Sequence, residues 1–231
     1  MKKGFTLAEV LITLGVVGVV AVLTVPGVMK NYANRMYVSQ LQKVYSQIAE
    51  AAQNMMNDEH VDDFTETSAA NAGKPSGCPD DKTKCTYGVY AFFTNYFKTL
   101  KIDCGPNGDS SCAKGANFYR RLDNTYTTSG MYQCIQTVSG AVICGGYNSS
   151  NKCMSITVDV NGLAQPNVAG RDVFAMDIHK DGSISDYGSG CAANSKGCSA
   201  SSCGTGSADS INNASCGCLN NVIDAGWKME Y

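Results

Sequence analysis

The first 77 residues contain no cysteine, and between Phe5 and Val25 there is no lysine and no arginine. In all 231 residues histidine occurs twice and tryptophan once. No C-x-x-C pair occurs, and the tight cysteine groups, Cys198-x4-Cys203 and Cys216-x-Cys218, do not repeat as a zinc ribbon would. No block of basic residues provides the electrostatic footprint of a nucleic-acid binder. There is no G-x-S-x-G, no H-E-x-x-H and no phosphate-binding glycine loop, and His60 and His179 stand in no ligand-like cluster. The chain therefore carries no enzyme signature, and no nucleic-acid partner is expected.

What is present begins at the N-terminus. Lys2-Lys3-Gly4 precedes FTLAEVLITLGVVGVVAVLTV, 21 residues whose one ionisable group is Glu9. About 20 apolar residues span a bilayer as a helix, and flanking cations stay on the cytoplasmic side. A carboxylate inside such a helix is costly. An ordinary secretory signal has a shorter apolar stretch and a small-x-small cleavage site; here Thr24-Val25-Pro26-Gly27-Val28-Met29 follows. A plain signal anchor fits the length but leaves Glu9 and the Gly4-Phe5 junction without a role.

The segment KKGFTLAEVLITLGVVGVVAVLTVP closely resembles the leader and stem of type IV pilins and type II secretion pseudopilins. The resemblance is close over roughly the first 30 residues and loose over the next 30. It implies cleavage after Gly4 by a prepilin peptidase and methylation of the new terminus, Phe5. It implies that Glu9 meets the terminal amine of a neighbouring subunit, where each charge neutralises the other. Removing either partner would leave a buried unpaired charge. The bland alternative for Glu9 is a protonated or snorkelling carboxylate near the membrane face. The implied partners are other pilin-like subunits, the peptidase and methylase, an inner-membrane assembly platform and, before assembly, membrane lipid. The implied location is a single-pass inner-membrane protein with its C-terminal domain periplasmic or extracellular, on a cell-surface filament if the chain is a true pilin. The implied function is a structural filament subunit. The rival is a minor or tip subunit acting as an adhesin or ligand-binding module through its disulfide loops.

The sequence divides into a leader at 1–4, a membrane part at 5–29, an amphipathic stretch at 30–57 and an exported cysteine-rich domain at 58–231. Val28, Tyr32, Met36, Leu41, Val44, Tyr45, Ile48, Ala52 and Met55 recur as one apolar stripe, so Phe5 to about Asn57 reads as a single helix. Pro26 lies inside it and removes a hydrogen bond to Val22, which predicts a kink. The resemblance gives Pro26 an assembly role, as a segment that can bend or melt. The domain of about 170 residues is large enough for one real core. Without Lys2 and Lys3 the chain holds 16 basic and 20 acidic side chains.

All 12 cysteines, Cys78, Cys85, Cys104, Cys112, Cys134, Cys144, Cys153, Cys191, Cys198, Cys203, Cys216 and Cys218, fall in that domain. An even number confined to an exported part predicts disulfides. Cys78–Cys85, Cys104–Cys112 and Cys134–Cys144 are local candidates, and Cys191 to Cys218 have too many partners to assign. Asp58–Asp81 reads as a polar loop and Tyr90–Leu100 as a short aromatic helix on the stem. Met131–Val138 and Ala141–Gly146 read as one hairpin, and Cys153–Val160 as a third strand. Asp172–His179 and Ser183–Tyr187 read as a second hairpin. Ser215 is expected to cap a final helix, Cys216–Ala225, closed by Gly226.

The fold class is therefore α+β: a long N-terminal helix on an antiparallel meander, with disulfide-stapled loops and a short C-terminal helix. That is the pilin-like architecture, although the strand pattern alone allows other α+β folds. No cofactor is required. Asp159, Asn161, Asn167 and Asp172 could supply hard oxygen ligands to calcium, against the simpler reading of a capped Asn-Gly turn.

Overall fold

The computed structural model describes residue 4 and residues 6–70, 81–148, 153–188 and 196–231. They divide into two units, one ending at Met36 and the other running from Tyr37 to Tyr231. Helix α1, Leu7–Asp58, contributes to both and continues through Pro26. In its first part the large apolar side chains are exposed, from Leu7 through Val28 to Tyr32 and Met36. The stripe expected from Val28 therefore starts later. Tyr37, Val38, Leu41, Val44, Ile48, Ala51, Ala52, Met55 and Met56 form the buried face, at the three-to-four spacing of one helical side.

The second unit is built on a six-stranded antiparallel meander in the order β1 to β6. The strands are β1 Thr99–Ile102, β2 Cys134–Thr137, β3 Val142–Asn148, β4 Cys153–Asp159, β5 Val173–Ile178 and β6 Ile184–Asp186. Their register places Ile143, Ile156, Val158, Phe174 and Met176 on one face, and Cys144, Thr157, Asp159 and Val173 on the other. The apolar face receives α1 and helix α2, Gly88–Tyr96, which buries Phe92 and Phe93. Phe93 packs so close to Gly145 that a Cβ there would lie 3.2 Å from its ring. The second face is covered too. Cys104, Cys112, Ala113, Tyr119, Met131, Ala169, Ile211 and Ala214 close over Cys134, Val142, Cys144 and Val173 in a separate core. Both faces being covered explains why every residue of β5 is buried.

The aromatic helix stops four residues earlier than expected. Phe97 leaves the helix with extended backbone while its N–H still reaches the Phe93 carbonyl, and Thr99–Ile102 joins β2 as an edge strand. The Asp58–Asp81 stretch also packs more than a polar loop would. Phe64 is buried in a 3-10 turn at Phe64–Glu66, capped by the Asp63 carboxylate, and meets Phe92 edge-on. Residues 71–80, with the Lys74-to-Gly77 turn, lie outside the described residues.

The C-terminal helix differs from expectation as well. It is two helices, α3 Ile211–Ser215 and α4 Cys218–Asp224. Ser210, not Ser215, is the cap, its hydroxyl accepting from the Asn213 N–H at 3.1 Å. Gly217 breaks the run with φ of 83°, and a Cβ there would lie 2.1 Å from the Ser199 carbonyl oxygen. Gly226 closes α4 as expected, also with positive φ. Trp227 follows, half-buried, and meets the Tyr45 ring of α1 edge-on at 5.5 Å.

Candidate functional site

Two places carry chemistry, one in each unit. In the first, Gly4 is exposed, and Phe5 lies outside the described residues. Thr6 and Glu9 form a reciprocal cap at the start of α1. The Thr6 N–H donates to the Glu9 carboxylate at 2.8 Å, the Thr6 hydroxyl donates to the same oxygen at 2.9 Å, and the Glu9 N–H donates to the Thr6 hydroxyl at 3.3 Å. This is the T-x-x-E capping box, which satisfies otherwise orphaned helix-start groups. Its signal in the sequence is the T-x-x-E spacing of Thr6-Leu7-Ala8-Glu9, which the expectation for Glu9 did not include. Among the described residues α1 is one helix long and apolar enough to cross a membrane, by length and composition.

In the second unit the metal candidates come together on one loop. Asp159 ends β4 and Asp172 immediately precedes β5. Both are wholly buried and Asn167 is 1% exposed. The loop folds back through backbone bonds: Val160 N–H donates to the Asp172 carbonyl at 2.9 Å, and Arg120 N–H to the Asn167 carbonyl at 3.0 Å. The Asp172 carboxylate accepts from the N–H groups of Asn167 at 2.8 Å and Val168 at 2.7 Å. One Asp159 oxygen accepts from the Asn161 N–H at 3.3 Å. The Asn161 side-chain amide lies beside the Asp172 carboxylate. Gly170, at φ of 81°, sits where a Cβ would fall 2.6 Å from the Cys218 sulfur, so the Cys203–Cys218 bridge backs the loop.

Burial, and secondly the neighbouring Asp172, hold the Asp159 carboxyl well above the usual carboxylate range. Burial raises Asp172 as well, against the opposing pull of the Val168 and Asn167 amides. Asp186 is a separate case. Burial pushes it up to about 7 although the Gly217, Asn220 and Leu219 amides pull it down. Its oxygens accept from Gly217 N–H at 2.8 Å and Asn220 N–H at 2.9 Å, which ties β6 to the start of α4. Asp186 lies near the Cys198 and Cys216 sulfurs, but these form a disulfide and offer no thiolate.

The structure joins Cys104 to Cys112, Cys134 to Cys144, Cys198 to Cys216 and Cys203 to Cys218. Cys134 and Cys144 are direct cross-strand partners of β2 and β3. Cys85 is disulfide-bonded, whereas Cys78, Cys191 and the Cys153 side chain lie outside the described residues. The sequence expectation also left one feature unseen. A groove of about 610 Å³ opens on the second sheet face, lined by Tyr132, Tyr147, Tyr187, Gln133, Asn212 and Gly146. Nothing local in the sequence marks it, because its walls come from six separated segments.

Comparison of the chain with protein-family models, with curated proteins and with solved structures finds no match in any of the three.

Proposed function

We propose that the chain is a structural subunit of a type IV pilus-like or type II secretion-like filament, cleaved after Gly4 and methylated at Phe5. One observation carries the reading. A single helix buries a narrow apolar stripe in its own domain from Tyr37 onward, yet leaves the apolar run from Leu7 to Met29 bare, with Glu9 as the one carboxylate there. Bare apolar surface of this extent needs a cover supplied from outside the chain. Lipid covers it before assembly, and the same segments of neighbouring subunits cover it in a filament. Glu9 then has two successive partners: the Thr6 cap in the isolated chain, and a neighbour's terminal ammonium in the assembly. Exchanging a neutral cap for a charge pair in a poorly solvated bundle favours the assembled register.

The test is the behaviour of Glu9→Ala in the native membrane. The variant should insert as well as wild type or better, because a costly carboxylate is gone, while its incorporation into sheared filaments drops sharply. Wild-type incorporation would remove the pairing from the account. A second reading, a tip subunit that binds a ligand, is favoured by the tyrosine-lined groove, whose residues play no part in the helix-packing mechanism. Filaments that form normally without the protein, but no longer hold their surface, would select it.

A further inference from the structure

We propose that the groove on the second sheet face binds a short neutral carbohydrate. The proposal rests on the ligand-binding reading, to which it gives a ligand chemistry, and holds whether or not the chain enters a filament. The groove, about 610 Å³, has the size of a small-molecule site. Among the described residues that line it there is no Asp, Glu, Lys, Arg or His. A charged ligand would leave water there with no opposite charge to meet it, which is strongly disfavoured. The ligand is therefore uncharged.

The floor is open at a glycine that the fold itself does not require. The register of β3 and β4 puts Gly146 opposite Ser155, and Cys144 opposite Thr157, on this face. Gly145 and Gly146 both lie inside β3, and at neither is φ positive. Gly145 is explained by packing, because the Phe93 ring and the Ile156 side chain crowd the place of its Cβ. A Cβ on Gly146 would meet no described atom within 4 Å. Glycine inside a strand weakens it, and often marks a place where a ligand comes close to the backbone. Beside it the Ser155 hydroxyl donates to the Asp177 carboxylate at 2.7 Å, and the Thr157 hydroxyl to Asn212 Oδ1 at 2.5 Å. Both hydroxyl oxygens keep lone pairs that can accept from a ligand O–H.

The walls combine rings with amides. In the order of the sheet, Tyr132 and Gln133 flank the floor from the β2 side, and Tyr187, which follows β6, from the other, with Asn212 of α3. An aromatic face packs on the C–H face of a pyranose ring, while amides and hydroxyls pair with its O–H groups. A wholly apolar ligand would strip water from those amides and hydroxyls without replacing it. An extended peptide would need a free strand edge, and β3 and β4 are both paired on each side. The site is also preformed, which lowers the cost of binding. The Gly145 N–H donates to the Gln133 carbonyl at 3.0 Å, the Cys134–Cys144 bridge joins β2 to β3, and the Thr157 hydroxyl holds Asn212.

The experiment uses the full chain with its disulfides formed, purified in a detergent without a sugar headgroup. The probes are neutral di- and trisaccharides of glucose, galactose, mannose and N-acetylhexosamines, read by saturation-transfer NMR. At least one should bind saturably, with most saturation reaching its ring C–H protons. Tyr132→Ala, at a side chain 45% exposed, should weaken binding by about tenfold or more. Gly146→Leu puts a side chain into the open space and should abolish binding at an unchanged melting temperature. Val138→Ala, at an exposed position outside the groove, should keep full binding. No binding by any probe, wild-type binding in Gly146→Leu, or a preference for sialylated or sulfated glycans would overturn the proposal. If Gly146→Leu stops surface attachment by cells while no probe binds, the ligand-binding reading stands and the carbohydrate class falls.

Discussion

Ile12 and Ile48 sit on the same helix and have opposite surroundings: Ile12 is 67% exposed and Ile48 is fully buried. Leu11 and Leu41 repeat the contrast at 61% and 0%. The two halves of α1 differ in both composition and pattern. Up to about Met29 apolar residues occupy every side, so no single face can be completed by one domain. From Tyr37 they occupy one stripe, with Ser39, Gln42, Lys43 and Glu50 opposite, and the chain's own sheet completes it. One helix thus holds a half buried by the chain's own fold and a half that the chain leaves exposed. The disulfides fall entirely on the finished side, where loops without a continuous core pattern need fastening.

The largest expected effect comes from unfastening that side. Each native disulfide in a small exported domain contributes roughly 2–5 kcal/mol, so full reduction should unfold the region around Cys198 to Cys218 and expose its amides to hydrogen exchange. The α1 termini of the exposed half should exchange no faster than before. Protection around Ile211–Asp224 that survives reduction would show that packing alone holds the tail.

Next is the helix contrast itself. Leu41→Ala should lower the unfolding free energy by about 2–5 kcal/mol, the range for a wholly buried leucine. Leu11→Ala should leave the melting temperature unchanged and weaken retention in the membrane instead. Equal shifts in melting for the two variants would erase the distinction between the halves.

A smaller effect is pH-dependent. The folded pKa of Asp186 lies near 7, above the ordinary carboxylate range. Between about pH 4 and pH 7 the folded state holds a proton that the unfolded chain has released. Stability from this group is present in acid and is lost as pH rises through its folded pKa. The melting temperature should fall from about pH 4 to about pH 7, and Asp186→Asn should reduce the slope, the remainder belonging to the other raised carboxyls, Asp159 and Asp172. A wild-type slope in that variant would move the effect to another group. Smallest is the α3 cap. Ser210→Ala should cost about 1 kcal/mol by urea unfolding, whereas Ser215→Ala should show no capping loss, because the Ser215 hydroxyl donates back to the Ile211 carbonyl inside the helix.

Much of this was legible before any coordinates. Hairpins marked by Ser139-Gly140 and Asp181-Gly182 appear where turn chemistry puts them, and the long helix ends within a residue of Asn57. What was not legible has physical causes. The run Tyr90–Leu100 is aromatic-rich throughout, with Thr94-Asn95 and Lys98-Thr99 at no decisive period, so its pattern does not separate a helix end from the edge strand that follows. Gly217 could be seen as a breaker only once Ser199 was known to crowd it. The Asp159, Asn161, Asn167 and Asp172 set could be written down from oxygen chemistry. That three of its oxygens, Asp159 Oδ2, Asn161 Oδ1 and Asn167 Oδ1, lack donors among the described residues depends on where the amide nitrogens turn, which no spacing encodes. The groove under Tyr132, Tyr147 and Tyr187 depends on tertiary assembly throughout.

The central claim is that the bare half of α1 becomes an assembly surface once the leader is removed. The measurement that meets it most directly is the intact mass of the protein recovered from sheared surface filaments, with tandem fragmentation of its first peptide. The account predicts a chain that starts at N-methylated Phe5 and is enriched in the filament fraction over the membrane. A chain that keeps Met1 to Gly4, or starts elsewhere, or is absent from filaments while abundant in the membrane, would contradict it.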